Sequence, residues 1–151
     1  MKPEEFSRIF VQCISHYFER TMGEMAVVGT PYMLDDDPDL LRHTGSIPVS
    51  GRMEGAVSYT LEANLLRDVA EAWGEENPPE NLLNDLVGEI ANTIAGNARQ
   101  ELGHHFLISV PQIVDPSGEG IQREKEGINM GIPVRIGEQA STLFLTFRTL
   151  G

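Results

Sequence analysis

The chain has 151 residues, 40% of them hydrophobic, a formal net charge of −12 and one cysteine. A chain of this length buries about 70% of its unfolded surface, so one core and a single domain over residues 1–151 are expected. The acidity argues against nucleic acid, whose phosphates demand a basic patch. No apolar run reaches about 18 residues, so no membrane span is expected, and one cysteine forms no internal disulfide, which fits a reducing, cytoplasmic setting. Met1 to Phe6 carries acid and does not read as a signal peptide.

Glu4 to Met22 reads as a helix with Phe6, Ile9, Phe10, Cys13, Ile14 and Tyr17 on one side, Pro3 at its start and Gly23 as its stop. Met25 to Met33 reads as a strand, and Asp35 to Asp39 as an acidic loop. Thr44 to Ser50 and Gly55 to Leu61 are two strands joined by a hairpin turn at Gly51 to Gly55. Glu62 to Trp73 is a second amphipathic helix, with Leu65, Leu66, Val69, Ala70 and Trp73 inward. Gly74 to Pro79 breaks it. A long helix follows from Asn81 to Leu102, closed near Gly103. Phe106 to Val114 reads as a strand, Asp115 to Gly127 as a polar turn region, and Ile128 to Ile136 and Ala140 to Thr149 as the last two strands. No tandem repeat of 20–50 residues is visible. Helix, three strands, two helices and three strands is an α+β order with antiparallel pairing, and the strands show no obvious edge protection.

The long helix has two faces at about 100° per residue. Leu83, Leu86, Val87, Ile90, Ile94 and Ala98 form a core stripe. Asp85, Glu89, Asn92, Gly96 and Arg99 form a polar ridge opposite. A glycine inside a helix costs about 1 kcal/mol relative to alanine. A solvent face gains nothing from that cost, whereas a surface that something approaches closely does.

Asp85-x3-Glu89-x2-Asn92-x3-Gly96 resembles the signature helix of the CheC/CheX/FliY family, phosphatases of the chemotaxis response regulator CheY. The wording from Gly88 to Ala98 (GEIANTIAGNA) is most similar to the CheX branch. The resemblance covers most of the chain, least at residues 33–44 and 115–126. It implies a CheC-like α+β fold with helices packed on an antiparallel sheet, a homodimer formed through the sheets, and a phosphorylated CheY-like regulator as substrate. The catalytic residues it implies are Glu89 and Asn92. The regulator carries its phosphoryl group on an aspartate beside Mg²⁺, so this chain needs no cofactor or metal of its own. An asparagine amide donates and accepts hydrogen bonds without titrating near neutral pH. Asn92 is thus expected to hold the attacking water rather than act as a base. Glu89, one turn away, is expected to pair with the regulator's lysine. Asp85, Gly96 and Arg99 fall to the partner surface.

Ser15-x3-Glu19-x2-Met22 has the same spacing with methionine for asparagine. CheC-like members have two signature helices related by internal pseudo-symmetry. A thioether does not orient water as an amide does, so one active site per chain is expected, with the first helix a degenerate second site or a coincidence.

Other features read as structural. Asn97 falls toward the apolar side as a buried, hydrogen-bonded residue. Cys13 beside His16 reads as an inert buried thiol. His104 and His105 are neighbours whose side chains should diverge, giving favourable charge at a helix C-terminus rather than a metal site. Asp35, Asp37 and Asp39 begin like a calcium loop, but Leu40 and Ser46 stand where glycine and glutamate are needed, leaving a solvated loop. Gly118, Gly120 and Gly127 suggest turns, and no nucleophile or metal motif accompanies them. Trp73 is expected in the core. Two other functions compete with the phosphatase: a non-catalytic adaptor of the same fold that binds a receiver domain, and a phosphatase of small molecules.

Overall fold

The computed structural model describes residues 2–149. Helix α1 (Pro3–Met22) is followed by β1 (Ala26–Val28), β2 (Tyr32–Met33), β3 (His43–Gly51), β4 (Met53–Leu61), α2 (Ala63–Ala72) and α3 (Glu80–Leu102). Then come β5 (Phe106–Ile108), β6 (Gln112–Ile113), β7 (Ile128–Ile136) and β8 (Gln139–Thr149). The strands form one eight-stranded antiparallel sheet in the order β1-β7-β8-β4-β3-β5, with β2 also on β7 and β6 also on β3. This is the expected α+β arrangement of helices on an antiparallel sheet.

Both outer strands differ from expectation. The stretch from Met25 to Met33 splits into β1 and β2, and that from Phe106 to Val114 into β5 and β6. Each break holds a proline, Pro31 or Pro111, which cannot donate to a ladder. Each also faces a proline of the long partner strand. Gly29 N–H reaches the Pro133 carbonyl at 2.8 Å, and Ser109 N–H reaches the Pro48 carbonyl at 2.9 Å. The edges are therefore protected, by short and interrupted strands. They still expose apolar side chains: Val27, Tyr32 and Met33 on one, Leu107, Val110 and Ile113 on the other.

These matched breaks belong to an internal duplication. Gly23 and Gly103 close α1 and α3; β1 begins at 26 and β5 at 106; β2 begins at 32 and β6 at 112; Pro31 matches Pro111. Every pair is 80 residues apart, beyond the window in which a short tandem repeat shows. Phe6, Phe10, Ile14 and Phe18 of α1 correspond to Leu86, Ile90, Ile94 and Ala98 of α3, all of them buried. Each half donates its broken strand to the other half's hairpin, and the halves meet where β4 pairs β8.

The helices cover one face of the sheet. The core joins the stripes of α1, α2 and α3 to Ile47, Val57, Tyr59, Leu61, Ile132, Leu143 and Leu145. Leu65, Leu66, Val69 and Ala70 of α2 are buried as expected. Trp73 is not. It is 52% exposed, because α2 ends at Ala72 and Trp73 has left helical geometry. On the other face, cross-strand hydroxyl pairs link Thr44 to Thr60 at 2.8 Å and Ser46 to Ser58 at 2.9 Å. The segments before β3 and before β7 lie over this face. Leu41 N–H donates to Thr60 Oγ1, Ile121 is buried, and the Arg123 backbone N–H donates to Asp37. The Arg123 guanidinium also reaches Asp37 and the Asp35 carbonyl. The acidic loop is thus an anchor for the second loop rather than only a solvated stretch.

Two glycines set the height of α3 above the sheet. A Cβ on Gly45 of β3 would lie 3.0 Å from the Val87 carbonyl oxygen and 3.2 Å from the Gly88 Cα. A Cβ on Gly88 would lie 3.1 Å from Pro111 Cβ. Backbone therefore rests on backbone. At the start of α3, buried His43 places Nδ1 3.1 Å from Asn84 Oδ1 and Nε2 3.4 Å from Glu80 Oε1, and Glu80 also pairs with Arg42 at 2.9 Å. Gly45→Val drives a branched side chain into the α3 backbone. It is expected to cost about 1–3 kcal/mol, read as a lower urea midpoint with an unchanged slope.

Candidate functional site

α3 divides as its periodicity predicts. Leu83, Leu86, Val87, Ile90, Ile94 and Ala98 are buried against the sheet and α1. Asp85, Glu89 and Arg99 are exposed, and Asn92 and Gly96 are half-buried on the same ridge. Nothing lies within 4 Å of where a Gly96 Cβ would stand, so the space above it is open. Gly88, by contrast, is buried and serves packing. The sequence has two glycines in this helix with opposite reasons for being there.

Glu89 and Asn92 come from consecutive turns and project from the middle of a 23-residue helix. Among the described residues, neither side chain is committed to a hydrogen bond or ion pair; the Glu89 carbonyl accepts from Thr93 Oγ1 at 2.9 Å. The carboxylate and amide are free to meet a second molecule. No group of three or more His, Cys, Asp or Glu residues that could hold a metal occurs among the described residues.

α1 lies beside the ridge, and Tyr17 sits in the seam, 5% exposed. Burial pushes its phenol up to about 12; the Thr21 side chain opposes the shift and the Glu89 carboxylate adds to it. The sequence placed Tyr17 on the apolar stripe but did not reveal its closeness to Glu89, which depends on how two helices cross. Tyr59, fully buried, donates to Ser141 Oγ at 2.7 Å and is raised in the same direction by burial.

Three expectations need correction. Ser15, Glu19 and Met22 are not the counterpart of the ridge. The internal duplication sets Ile9 and Gln12 opposite Glu89 and Asn92, and Met22 packs against the core. Spacing within one helix could not reveal this, because the offset is fixed by Gly23 and Gly103. Asn97 is half-buried and lines a groove with Cys13 and His16, without a side-chain hydrogen bond among the described residues. His104 and His105 do not diverge. The chain leaves helical geometry at Gly103, and their ring centroids stand 4.1 Å apart. Arg52, and after it His104, holds the His105 imidazole below its ordinary range. Cys13 is buried as expected, and burial followed by the Glu101 carboxylate pushes its thiol up, away from reactivity.

The raised phenols fix how stability responds to alkali. An unfolded tyrosine releases its proton near 10, where the folded chain still holds those of Tyr17 and Tyr59. Unfolding is therefore favoured as pH rises above about 10. Thermal melts should lose stability in that range, and Tyr17→Phe should flatten the dependence without removing it.

No helix among the described residues is long and apolar enough to cross a membrane. No curated protein sequence matches the chain. Solved structures do. A CheC-like superfamily protein from Shewanella sp. PV-4 is 21% identical, with a TM-score of 0.80 over 98% of this chain and 99% of that one. Chemotaxis protein CheX from Vibrio vulnificus is 23% identical, with a TM-score of 0.80 over 95% and 99%. The CheX of a CheX–CheY–BeF3–Mg²⁺ complex from Borrelia burgdorferi is 17% identical, with a TM-score of 0.76 over 95% and 97%. At these identities the likeness establishes the fold. The family model for chemotaxis phosphatase CheX matches residues 43–135, from the first residue of β3 through α3 and into β7, more than half of the sequence. The chain belongs to the CheX family of chemotaxis phosphatases.

Proposed function

We propose that this chain hydrolyses the aspartyl phosphate of a CheY-type response regulator, with Asn92 holding the attacking water and Glu89 docking on the regulator's lysine. The observation that carries the reading is the uncommitted Glu89–Asn92 pair on an open ridge, with clear space above Gly96. The Borrelia complex supports the choice of partner, since a CheX of this fold is held there with CheY, BeF3 and Mg²⁺.

The chemistry divides between two proteins. Phosphoryl transfer needs a nucleophile in line with phosphorus and neutralisation of the charge that develops. Mg²⁺ and the lysine in the partner supply the second. The amide of Asn92 supplies the first by fixing a water, an entropic rather than acid–base contribution. Glu89 makes a charge-assisted bond to the lysine and sets how deeply α3 enters. Asp85 and Arg99 extend the contact along the ridge, and Gly96 leaves room for the partner's loops. The reaction would take place in the cytoplasm.

The test is phosphate release from phosphorylated receiver proteins of the same cell. Wild type is expected to shorten the lifetime of one of them. Asn92→Ala should lose the acceleration by about 100-fold or more while still binding the receiver in its BeF3–Mg²⁺ form. Retained acceleration in Asn92→Ala removes the water-positioning role. Binding without acceleration by wild type makes the protein an adaptor.

We also propose a homodimer formed through the sheets. Its support is the apolar surface on the two interrupted edges, Val27 and Met33 on one and Val110 and Ile113 on the other. Sedimentation should show a dimer that either Val27→Lys or Val110→Lys dissociates. A monomer at all concentrations, or a dimer that neither change affects, overturns this assignment.

A further inference from the structure

The duplication puts two helix ends in equivalent positions, and their side chains differ. Around the end of α3 stand Arg99, Glu101, His104 and His105; the residues 80 positions earlier, at the end of α1, are Glu19, Thr21, Glu24 and Met25, with Arg20 in the same last turn. The β3–β4 hairpin beside the α3 end carries Arg52, whose backbone N–H reaches the His105 carbonyl at 3.2 Å. The β7–β8 hairpin, which meets β1 where Ile136 pairs Ala26, carries Glu138 instead. The α3 end gathers two arginines and two histidines, whereas its counterpart mixes Glu19, Glu24 and Glu138 with Arg20 and Arg135.

This cluster surrounds an open cleft of about 400 Å³ between Gly96, Arg99, Gln100, Gly103 and His104. Arg42, Arg123 and Arg148 each pair with a carboxylate. Arg52 and Arg99, like Arg8, Arg20, Arg67 and Arg135, have no carboxylate partner among the described residues. Arg99 lies seven residues beyond Asn92 on the same ridge, about 10 Å along a helix axis. That is a little more than one Debye length, about 8 Å at physiological salt, so the attraction is partly screened.

A phosphorylated receiver site is itself anionic, because phosphate and carboxylates together hold its Mg²⁺. A chain of net charge −12 presenting Asp85 and Glu89 would be repelled from it unless a local positive field compensates. We propose that the end of α3, with Arg52, Arg99 and His104, is an electrostatic docking surface for the carboxylate-bearing rim around the receiver's phosphoaspartate. The inference rests on the receiver-phosphatase reading and adds a direction to it. The receiver is drawn over the α3 end of the ridge, so it docks in one orientation.

The test uses the intact chain and the receiver that wild type dephosphorylates, loaded with BeF3 and Mg²⁺. The double variant Arg52→Glu/His104→Glu should weaken binding roughly tenfold or more at low salt, with the difference shrinking at high salt. The neutral pair Arg52→Gln/His104→Gln should fall between, which keeps the test valid should the charge reversal disturb folding. Lys125→Glu, a charge reversal of the same size as Arg52→Glu at an exposed loop residue away from α3, should bind as wild type does. Affinity of both double variants equal to that of Lys125→Glu overturns the docking surface while leaving the phosphatase reading intact. A double variant that instead alters the sedimentation of the chain alone assigns this patch to a second copy and likewise overturns it. A wild type that neither binds nor dephosphorylates any receiver removes both readings together.

Discussion

The close approach of α3 to β3 is the constraint on which the site depends. Gly45 and Gly88 let helix backbone sit against strand backbone, so α3 is held by the sheet along one face and has only the opposite face to offer. His43, Asn84 and Glu80 tie its first turns to the beginning of β3. The long helix is thereby a rigid mount. A water-holding amide is useful only if its position is fixed to within a fraction of an ångström, since its contribution is orientation and not proton transfer. The buried Gly88 belongs to this packing, since a Cβ there would press on Pro111.

Much of this was legible in the sequence, for a physical reason. The ridge and the stripe of α3 follow from the helical period alone, and every residue of the expected stripe is buried. The helix stops at Gly23 and Gly103 were equally local. What failed was what depends on tertiary placement. Trp73 obeys the period of α2 but lies one residue past its end. The continuous edge strands were broken by prolines whose effect comes from facing Pro48 and Pro133 across the ladder. The stacking of His104 on His105 arises from the turn at Gly103. The match between Glu19 and Glu89 by local spacing misled because the true offset between the halves is set by distant elements.

The duplication also shows how one framework serves two purposes. Both helices bury aromatic or aliphatic residues at corresponding positions, so both halves obey the same packing rule. On the outward faces that rule is silent. There α3 carries carboxylate, amide and guanidinium in sequence, whereas α1 carries Ile9 and Gln12 where Glu89 and Asn92 would correspond. The proposed chemistry lies on a surface that folding leaves free.

The exchange of outer strands bears on how the molecule is made. β1 and β2, near the N-terminus, find their partner only in β7, about a hundred residues later, and β4 is completed by β8 at the far end. A nascent chain that has produced α1 to α3 therefore still has an unpaired strand edge and an uncovered apolar face. Such non-local pairing makes for slow folding and a prolonged risk of association through open edges. Cutting the chain between α2 and α3 would not release two smaller working units, since each would lack the strand that closes its hairpin. The helix that carries the candidate site rests on α1, α2 and β3 to β6, so its own supports are made before the half of the sheet built from β7 and β8.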